Sequence, residues 1–219
     1  MEYFESFAVS SVSTAIGTPS VNVNPPIQLL LASASPRRQD LLRQIGLAFE
    51  VVRPEVPEWR LASESPREYV QRVACDKARA GKRLAATMGA GQLPILAADT
   101  EVVLDAEVLG KPANRAAGAA LLQRLAGRTH EVMTALCLLH AGAQHTAVSI
   151  SRVSFGPLSD AQIQRYWDSG EPADKAGGYG IQGLAAGFIA HLDGSYSGVM
   201  GLPLFELTQI LREIGIDGL

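Results

Sequence analysis

The sequence has few charged residues, few cysteines and no long apolar run, and each shortage excludes a class of protein. Charged residues make up 19% of its 219 residues and the formal net charge is −3. The chain therefore lacks the positive electrostatic potential of proteins that bind long nucleic acids through their phosphates. No apolar run approaches the roughly 20 residues of a membrane-spanning helix. We expect neither a nucleic acid polymer nor a membrane among its partners.

Cysteine is represented only by Cys75 and Cys137, which are far apart in the sequence and form no CxxC pair. None of the four histidines is spaced to complete a zinc site with them. The two cysteines are therefore predicted to be buried free thiols in a reducing compartment.

Lysine and arginine are absent from residues 1–26, which include Glu2 and Glu5 and are rich in serine, threonine, valine and asparagine. A secretory signal needs a cationic start, and a mitochondrial transit peptide needs arginines and few acids. We predict a flexible extension, or a start codon placed too early. One domain is then expected over residues 27–219, in the cytoplasm.

From residue 27 onward, helical and strand patterns mix without a regular βαβ alternation, which indicates an α/β fold with a mixed sheet. Strands are predicted over 27–32, 94–98, 131–139, 146–155 and 187–192, with a hairpin over 102–109. Helices are predicted from Pro36 to Gly46, from the Ser65 capping box to about Met88, after Asn114, after Ser159 and from Pro203.

The first candidate site lies between the first strand and the first helix. Ser33, Ser35, Arg37 and Arg38 would bring hydroxyls and guanidiniums to a helix start, where free N–H groups and the helix dipole favour a polyphosphate. An N-cap with exposed arginines explains the same residues equally well. The spacing is not that of a Walker loop.

Two carboxylates are candidates for chemistry. Asp99 follows the apolar strand 94–98, a position from which α/β proteins present groups to a crevice, where it could hold Mg²⁺ or accept a proton from water. Glu58 could be a second metal ligand. The alternatives are a turn aspartate for Asp99 and a solvated loop carboxylate for Glu58.

Lys77 falls on the inward stripe of the second helix, with Val70, Val73 and Ala74. A buried ammonium is costly unless its charge is compensated, and a phosphate would compensate it. The alternative is that the amine reaches back to water. Lys111 follows the hairpin and could reach the same anion.

Gln182 lies in a glycine-dense loop, residues 177–183. Its amide offers a donor and an acceptor that could read the edge of a nucleobase where bare backbone allows a flat ring to approach. An ordinary cluster of turns is the competing interpretation.

Five segments together closely resemble the Maf family of septum-formation-type nucleoside triphosphate pyrophosphatases. They are LLLASASPRRQDLL, AADTEVVLDAEVLGKP, LAGRTHEVMTA, DKAGGYGIQG and GSYSGVMGLPLFE, and they occur in the family's order. The resemblance implies a fold related to inosine triphosphatases, in which a mixed twisted sheet with flanking helices forms two lobes around a cleft. It also implies a homodimer.

The resemblance assigns roles residue by residue. The family's phosphate loop falls on Ser33, Ser35, Arg37 and Arg38, its acidic position on Glu58, its lysines on Lys77 and Lys111, and its proposed general base on Asp99. Positions linked with nucleobase choice fall on Arg37, Thr100 and Gln182. The ADT and GIQG versions resemble the branch that acts on dTTP and UTP, releasing the monophosphate and pyrophosphate with Mg²⁺ or Mn²⁺ as the cation.

The chain departs from the family pattern at Gly178, Gly198 and Glu101. Glu101 is two residues beyond Asp99 on an extended segment and should point to the same side. It is either a further metal ligand or a like charge that raises the pKa of Asp99. The departures leave room for a non-catalytic nucleotide-binding regulatory protein linked to septum formation. An enzyme acting on modified nucleotides is a further alternative, which shares the mechanism and differs only in substrate.

Overall fold

The apolar residues after Ile27 form the first strand of a sheet in the computed structural model, which describes residues 26–216. The extension predicted over residues 1–26 lies outside the described residues except for Pro26, so its flexibility stays a prediction. The strands are β1 Leu29–Ala32, β2 Phe49–Val52, β3 Ile95–Leu104, β4 Glu107–Val108, β5 Thr129–His140, β6 Ala143–Phe155 and β7 Ile189–Asp193. The helices are α1 Pro36–Gln44, α2 Pro66–Thr87, α3 Arg115–Leu125, α4 Asp160–Asp168, α5 Tyr196–Met200 and α6 Leu204–Glu213.

The seven strands form one mixed sheet in the order β2-β1-β3-β5-β6-β7, with β4 paired to β3. β1 runs parallel to β2 and β3, and the remaining pairs are antiparallel. The predicted α/β class with a mixed sheet and flanking helices is therefore confirmed. Within residues 26–216 no helix is long and apolar enough to cross a membrane.

The prediction that a strand ends before Asp99 is wrong. β3 continues through Asp99 to Leu104, because the predicted hairpin belongs to the same strand, which turns at Asp105 and Ala106 with positive φ angles of 51° and 64°. The parallel strand β1 ends early beside β3, because it pairs with β3 only through Leu30 and Leu31. The crevice expected at the end of a strand therefore opens beside the middle of β3.

β1 and β4 pair with the two ends of one edge of β3, while β5 covers the opposite edge from Ile95 to Val103. The segment of β3 between its pairings with β1 and β4 is left without a neighbouring strand on that edge. Asp99, Thr100 and Glu101 lie in this segment. A gap in the sheet therefore gives side chains from both faces of β3 access to one space.

The hydrophobic core consists of three clusters of buried residues around this gap. Apolar side chains of β1, α1 and α6 pack on one face of the sheet, and those of α2 pack on the other. A third cluster, built around Leu122, Ile163 and Phe155, covers the far halves of β3, β5 and β6 with α3 and α4. These parts form the two lobes that the family resemblance implied.

The face of helix α2 that was predicted to point inward is buried against the sheet. The capping box of Ser65 and Glu68 starts the helix, and Val70, Val73 and Ala74 are fully buried against the sheet. A Cβ atom added to Gly81 would lie 2.6 Å from Ala32 Cβ. The absence of a side chain at Gly81 therefore lets α2 approach β1 closely, at the strand end that precedes the predicted phosphate loop.

Candidate active site

A cavity of about 440 Å³ lies at the gap in the sheet, between the two lobes. Nine of the ten predicted site residues line it, namely Ser33, Ser35, Arg37, Arg38, Glu58, Lys77, Asp99, Thr100 and Lys111. The tenth, Gln182, is exposed and outside the lining, whereas Gly180 and Ile181 of the same loop line the cavity. Its role in reading a base stays a prediction.

The centre of the cavity is a lysine held between two carboxylates. Lys77 Nζ lies 2.7 Å from Asp99 Oδ1 and 2.7 Å from Glu58 Oε1. Only 13% of the Lys77 side chain is exposed, so the amine does not reach back to bulk water. The compensation that an inward lysine requires is supplied by these carboxylates, which leaves Lys77 beside the space where a phosphate would lie.

Glu58 reaches the cavity from the loop between β2 and α2. Partial burial acts to raise its pKa, yet the hydrogen bond and charge of Lys77, with the charge of Lys111, bring that pKa below its ordinary value. Lys111 Nζ lies 3.8 Å from Glu58 Oε2. Glu58 therefore stays ionised between two lysines that come from different lobes.

Asp99 and Glu101 form a second carboxylate pair on β3. They are 5% and 9% exposed, and Asp99 Oδ2 and Glu101 Oε2 are buried atoms without a hydrogen-bond partner among the described residues. Burial raises the pKa of Glu101 to about 8, and repulsion from Asp99 adds to the rise. Glu101 therefore lines the cavity beside Asp99, as its position two residues along the strand predicts.

Arg38 connects the elements that surround the cavity. Its guanidinium donates from Nε to the Gly201 carbonyl oxygen at 2.8 Å, from Nη1 to Ser33 Oγ at 3.1 Å and from Nη2 to Thr100 Oγ1 at 3.2 Å. Burial lowers its pKa, against the attraction of Asp99. Arg38 thus fixes the loop after β1 to β3 and to the end of α5.

Arg37 is the arginine left available for an anion. It lines the cavity, and no hydrogen bond joins it to another residue in the range 26–216. It stands in the first turn of α1, whose N-cap Ser35 makes no side-chain capping bond. The free backbone N–H groups and the positive end of the helix dipole therefore face the same space as this guanidinium.

The second lobe adds residues that motif-by-motif reasoning missed. Lys175 and Tyr179 line the cavity; Lys175 Nζ lies 2.9 Å from Asp174 Oδ1, and the Tyr179 hydroxyl lies 2.7 Å from His130 Nε2. Burial lowers the pKa of His130 to about 4, so the ring is neutral in this contact. Lys175 and Tyr179 lie in the segment DKAGGYGIQG, in which the sequence predicted a site role only for Gln182.

The donor set fits a hard divalent cation. The cavity offers carboxylate oxygens, which Mg²⁺ and Mn²⁺ prefer, and two of those oxygens are buried without a partner. Within residues 26–216, no three His, Cys, Asp or Glu side chains are already grouped as a complete metal site. Substrate oxygens and water would have to complete the coordination, as is usual for Mg²⁺ at phosphate sites. Cys75 and Cys137 are buried and free, as predicted, and are not among the lining residues.

Fold and cavity together define the class as a two-lobed α/β protein with a cleft lined by both basic and acidic side chains. A family model described as Maf-like protein matches residues 28–214. The chain belongs to the Maf family, as the five sequence segments predicted.

Several similar proteins are named dTTP/UTP pyrophosphatase. The one from Bordetella avium is 52% identical over 195 residues, covering 86% of this chain and 96% of the relative. That from Alkalilimnicola ehrlichii is 52% identical over 190 residues, covering 86% and 94%. That from Methylococcus capsulatus is 49% identical over 190 residues, covering 87% and 92%.

Proposed function

We propose that this chain is a nucleoside triphosphate pyrophosphatase that hydrolyses dTTP and UTP to the monophosphate and pyrophosphate. The observation that carries the proposal is the meeting of Asp99, Lys77 and Arg37, from three separate segments, around one cavity between the lobes. The choice of dTTP and UTP as substrates follows the names of the relatives, which are called dTTP/UTP pyrophosphatase.

Asp99 is the catalytic carboxylate in this proposal. It is held in place by Lys77 through Oδ1, while Oδ2 has no partner among the described residues. The Asp99 carboxylate orients the attacking water and accepts its proton.

The cationic side chains bind the triphosphate and absorb the charge that develops on the leaving pyrophosphate. Arg37 and the first turn of α1 contact it from one lobe, and Lys111 from the other, with Lys77 between them. Arg38 is bound to three protein groups, so it holds Ser33 and Thr100 in position around the substrate.

A divalent cation, Mg²⁺ or Mn²⁺, is proposed as the cofactor, with Asp99 and Glu58 as its protein ligands. When bound, such an ion neutralises phosphate charge and makes the phosphorus a better electrophile. Glu58 is suited to this role because its neighbours keep its pKa low and its carboxylate ionised.

Selection of the pyrimidine base is proposed to involve Arg37, Thr100 and Gln182. Thr100 is fixed by Arg38 and lies 3.0 Å from Thr134 Oγ1. Gln182 is exposed beside Gly180 and Ile181, which line the cavity, so it would contact a base held at the edge of the cavity. We further propose that the protein acts in the cytoplasm as a homodimer, without a membrane or a nucleic acid polymer as partner.

The test is pyrophosphate release from a panel of nucleoside triphosphates by wild type and Asp99→Asn. We expect release from dTTP and UTP to fall by roughly 100-fold or more in the variant, with an unchanged far-ultraviolet circular dichroism spectrum. Asp40→Asn, an exposed change on α1, is the matched control and should keep wild-type turnover.

Near-normal turnover by Asp99→Asn would reject the assignment of the carboxylate. The second candidate, a nucleotide-binding regulator, is favoured if wild type binds UTP in a calorimetric titration and releases no pyrophosphate from any nucleotide of the panel. Activity confined to modified nucleotides would keep the mechanism and change the substrate.

A further inference from the structure

Glu101 is a buried carboxylate of the cavity that the mechanism above does not use. It stands on β3 two residues after Asp99, so the two side chains share one face of the strand. Both line the cavity, and Glu101 is only 9% exposed. A carboxyl group at this depth either keeps its proton or is paired with a cation, because burying an unpaired charge costs several kcal/mol.

The protein supplies Glu101 with no such partner in the described part of the chain. Glu101 forms no ion pair there, and its Oε2 atom is buried without a hydrogen bond, as is Asp99 Oδ2. Lys111 and Lys77 attract Glu101 only from beyond ion-pair distance, and Lys77 is already shared by Asp99 and Glu58. Two unpartnered carboxylate oxygens therefore lie on the same face of one strand.

These two carboxylate oxygens are suited to bind a cation. The phosphates of a nucleotide would add negative charge to the cavity, which worsens the repulsion on Asp99 and Glu101. A divalent cation would relieve it and would accept hard oxygen ligands from both carboxylates. Glu58, by contrast, already has both oxygens near lysines, at 2.7 Å from Lys77 and 3.8 Å from Lys111.

We propose that Glu101, in place of the Glu58 assigned above, is the second protein ligand of the divalent cation beside Asp99, and that Glu58 holds Lys77 and Lys111 in position. This inference rests on the proposed function, because substrate phosphates and water complete the coordination. Two carboxylates with phosphates are the usual protein share of a Mg²⁺ site, which agrees with the lack of a complete three-residue cluster in the described range.

The test measures Mn²⁺ binding, with free Mn²⁺ followed by electron paramagnetic resonance. The protein is saturated with a UTP analogue that carries a methylene bridge between the α and β phosphorus atoms. We expect Glu101→Gln to weaken Mn²⁺ binding by about tenfold or more. The control is Glu206→Gln on α6, which also has a buried carboxylate oxygen without a partner and does not line the cavity. It should stay within about twofold of wild type.

A double-mutant cycle with Asp99→Asn tests whether both carboxylates bind one ion. If they do, the combined loss of Mn²⁺ affinity differs from the product of the single losses. Glu101→Asp, which keeps the charge, should restore part of the affinity, so a loss caused only by misfolding is recognised. Mn²⁺ affinity within about twofold of wild type in Glu101→Gln would overturn the proposal.

Pyrophosphate release from UTP by the same wild-type preparation separates the two claims. Release together with unchanged Mn²⁺ affinity in Glu101→Gln rejects the role of Glu101 and leaves the proposed function standing. Mn²⁺ bound through Glu101 without any release rejects the function and supports the metal site.

Discussion

Lys77 is the residue on which the ion pairs of the cavity centre converge. Its ammonium lies 2.7 Å from both Asp99 and Glu58, and 13% of its side chain is exposed. Sequence periodicity placed this lysine on an inward stripe, which is correct, because three buried neighbours define that face. The sequence did not show that carboxylates from a distant strand and loop compensate its charge.

We predict that Lys77→Met destabilises the fold, because it removes the ion-pair partner of Asp99, which is buried beside Glu101. Breaking a buried ion pair from one side costs about 3 kcal/mol or more. The measurement is the free energy of unfolding in urea at pH 7. Lys82→Met, an exposed change on the same helix, should stay within about 0.5 kcal/mol of wild type. Equal effects of the two changes would contradict this account of Lys77.

His130 gives a pH prediction. Burial lowers its pKa to about 4 from an ordinary 6.5, so the unfolded chain binds the proton more tightly than the folded one. Stability is therefore lost as pH falls from about 6.5 to about 4, by up to about 3 kcal/mol. Replacing His130 by Gln should remove this share of the pH dependence of the unfolding free energy. His145→Gln, at a less buried position, is the control, and an unchanged slope in His130→Gln would refute the cause.

At the scale of elements, the sequence predicted most helices and strands because local features determine them. Capping boxes at Ser65 and Ser159 mark the starts of α2 and α4. The short β2 and α5 were missed, since four and five residues give too little periodicity. Where β1 stops against β3 depends on pairing between distant segments, so the open edge beside Asp99 could not be predicted from local pattern.

The packing of α2 on β1 gives a prediction at this scale. Gly81→Ala adds a Cβ 2.6 Å from Ala32 Cβ and 3.2 Å from Ile95 Cγ2. Alanine usually stabilises a helix relative to glycine by about 1 kcal/mol, but here overpacking should reverse the sign and cost about 1–3 kcal/mol. Thermal unfolding monitored by circular dichroism checks this, with Lys82→Ala as the control on the same helix. A raised melting temperature in Gly81→Ala would contradict the close approach.

At the scale of the whole molecule, the cavity joins two lobes whose contributions are far apart in sequence. Arg37 and Asp99 come from one side, and Lys111, Lys175 and Tyr179 from the other. The local sequence around a candidate residue is compatible with both a functional role and a purely structural one. The ordered family segments predicted their convergence, and the structure brings nine of them together while leaving Gln182 exposed.

The most direct test of the central claim is to follow the wild-type protein with UTP and Mg²⁺ by phosphorus-31 nuclear magnetic resonance. A site in which cations bind the β and γ phosphates while Asp99 activates water predicts that UMP and pyrophosphate appear together in equal amounts. UDP with orthophosphate would show that a different bond is cut and would contradict the account.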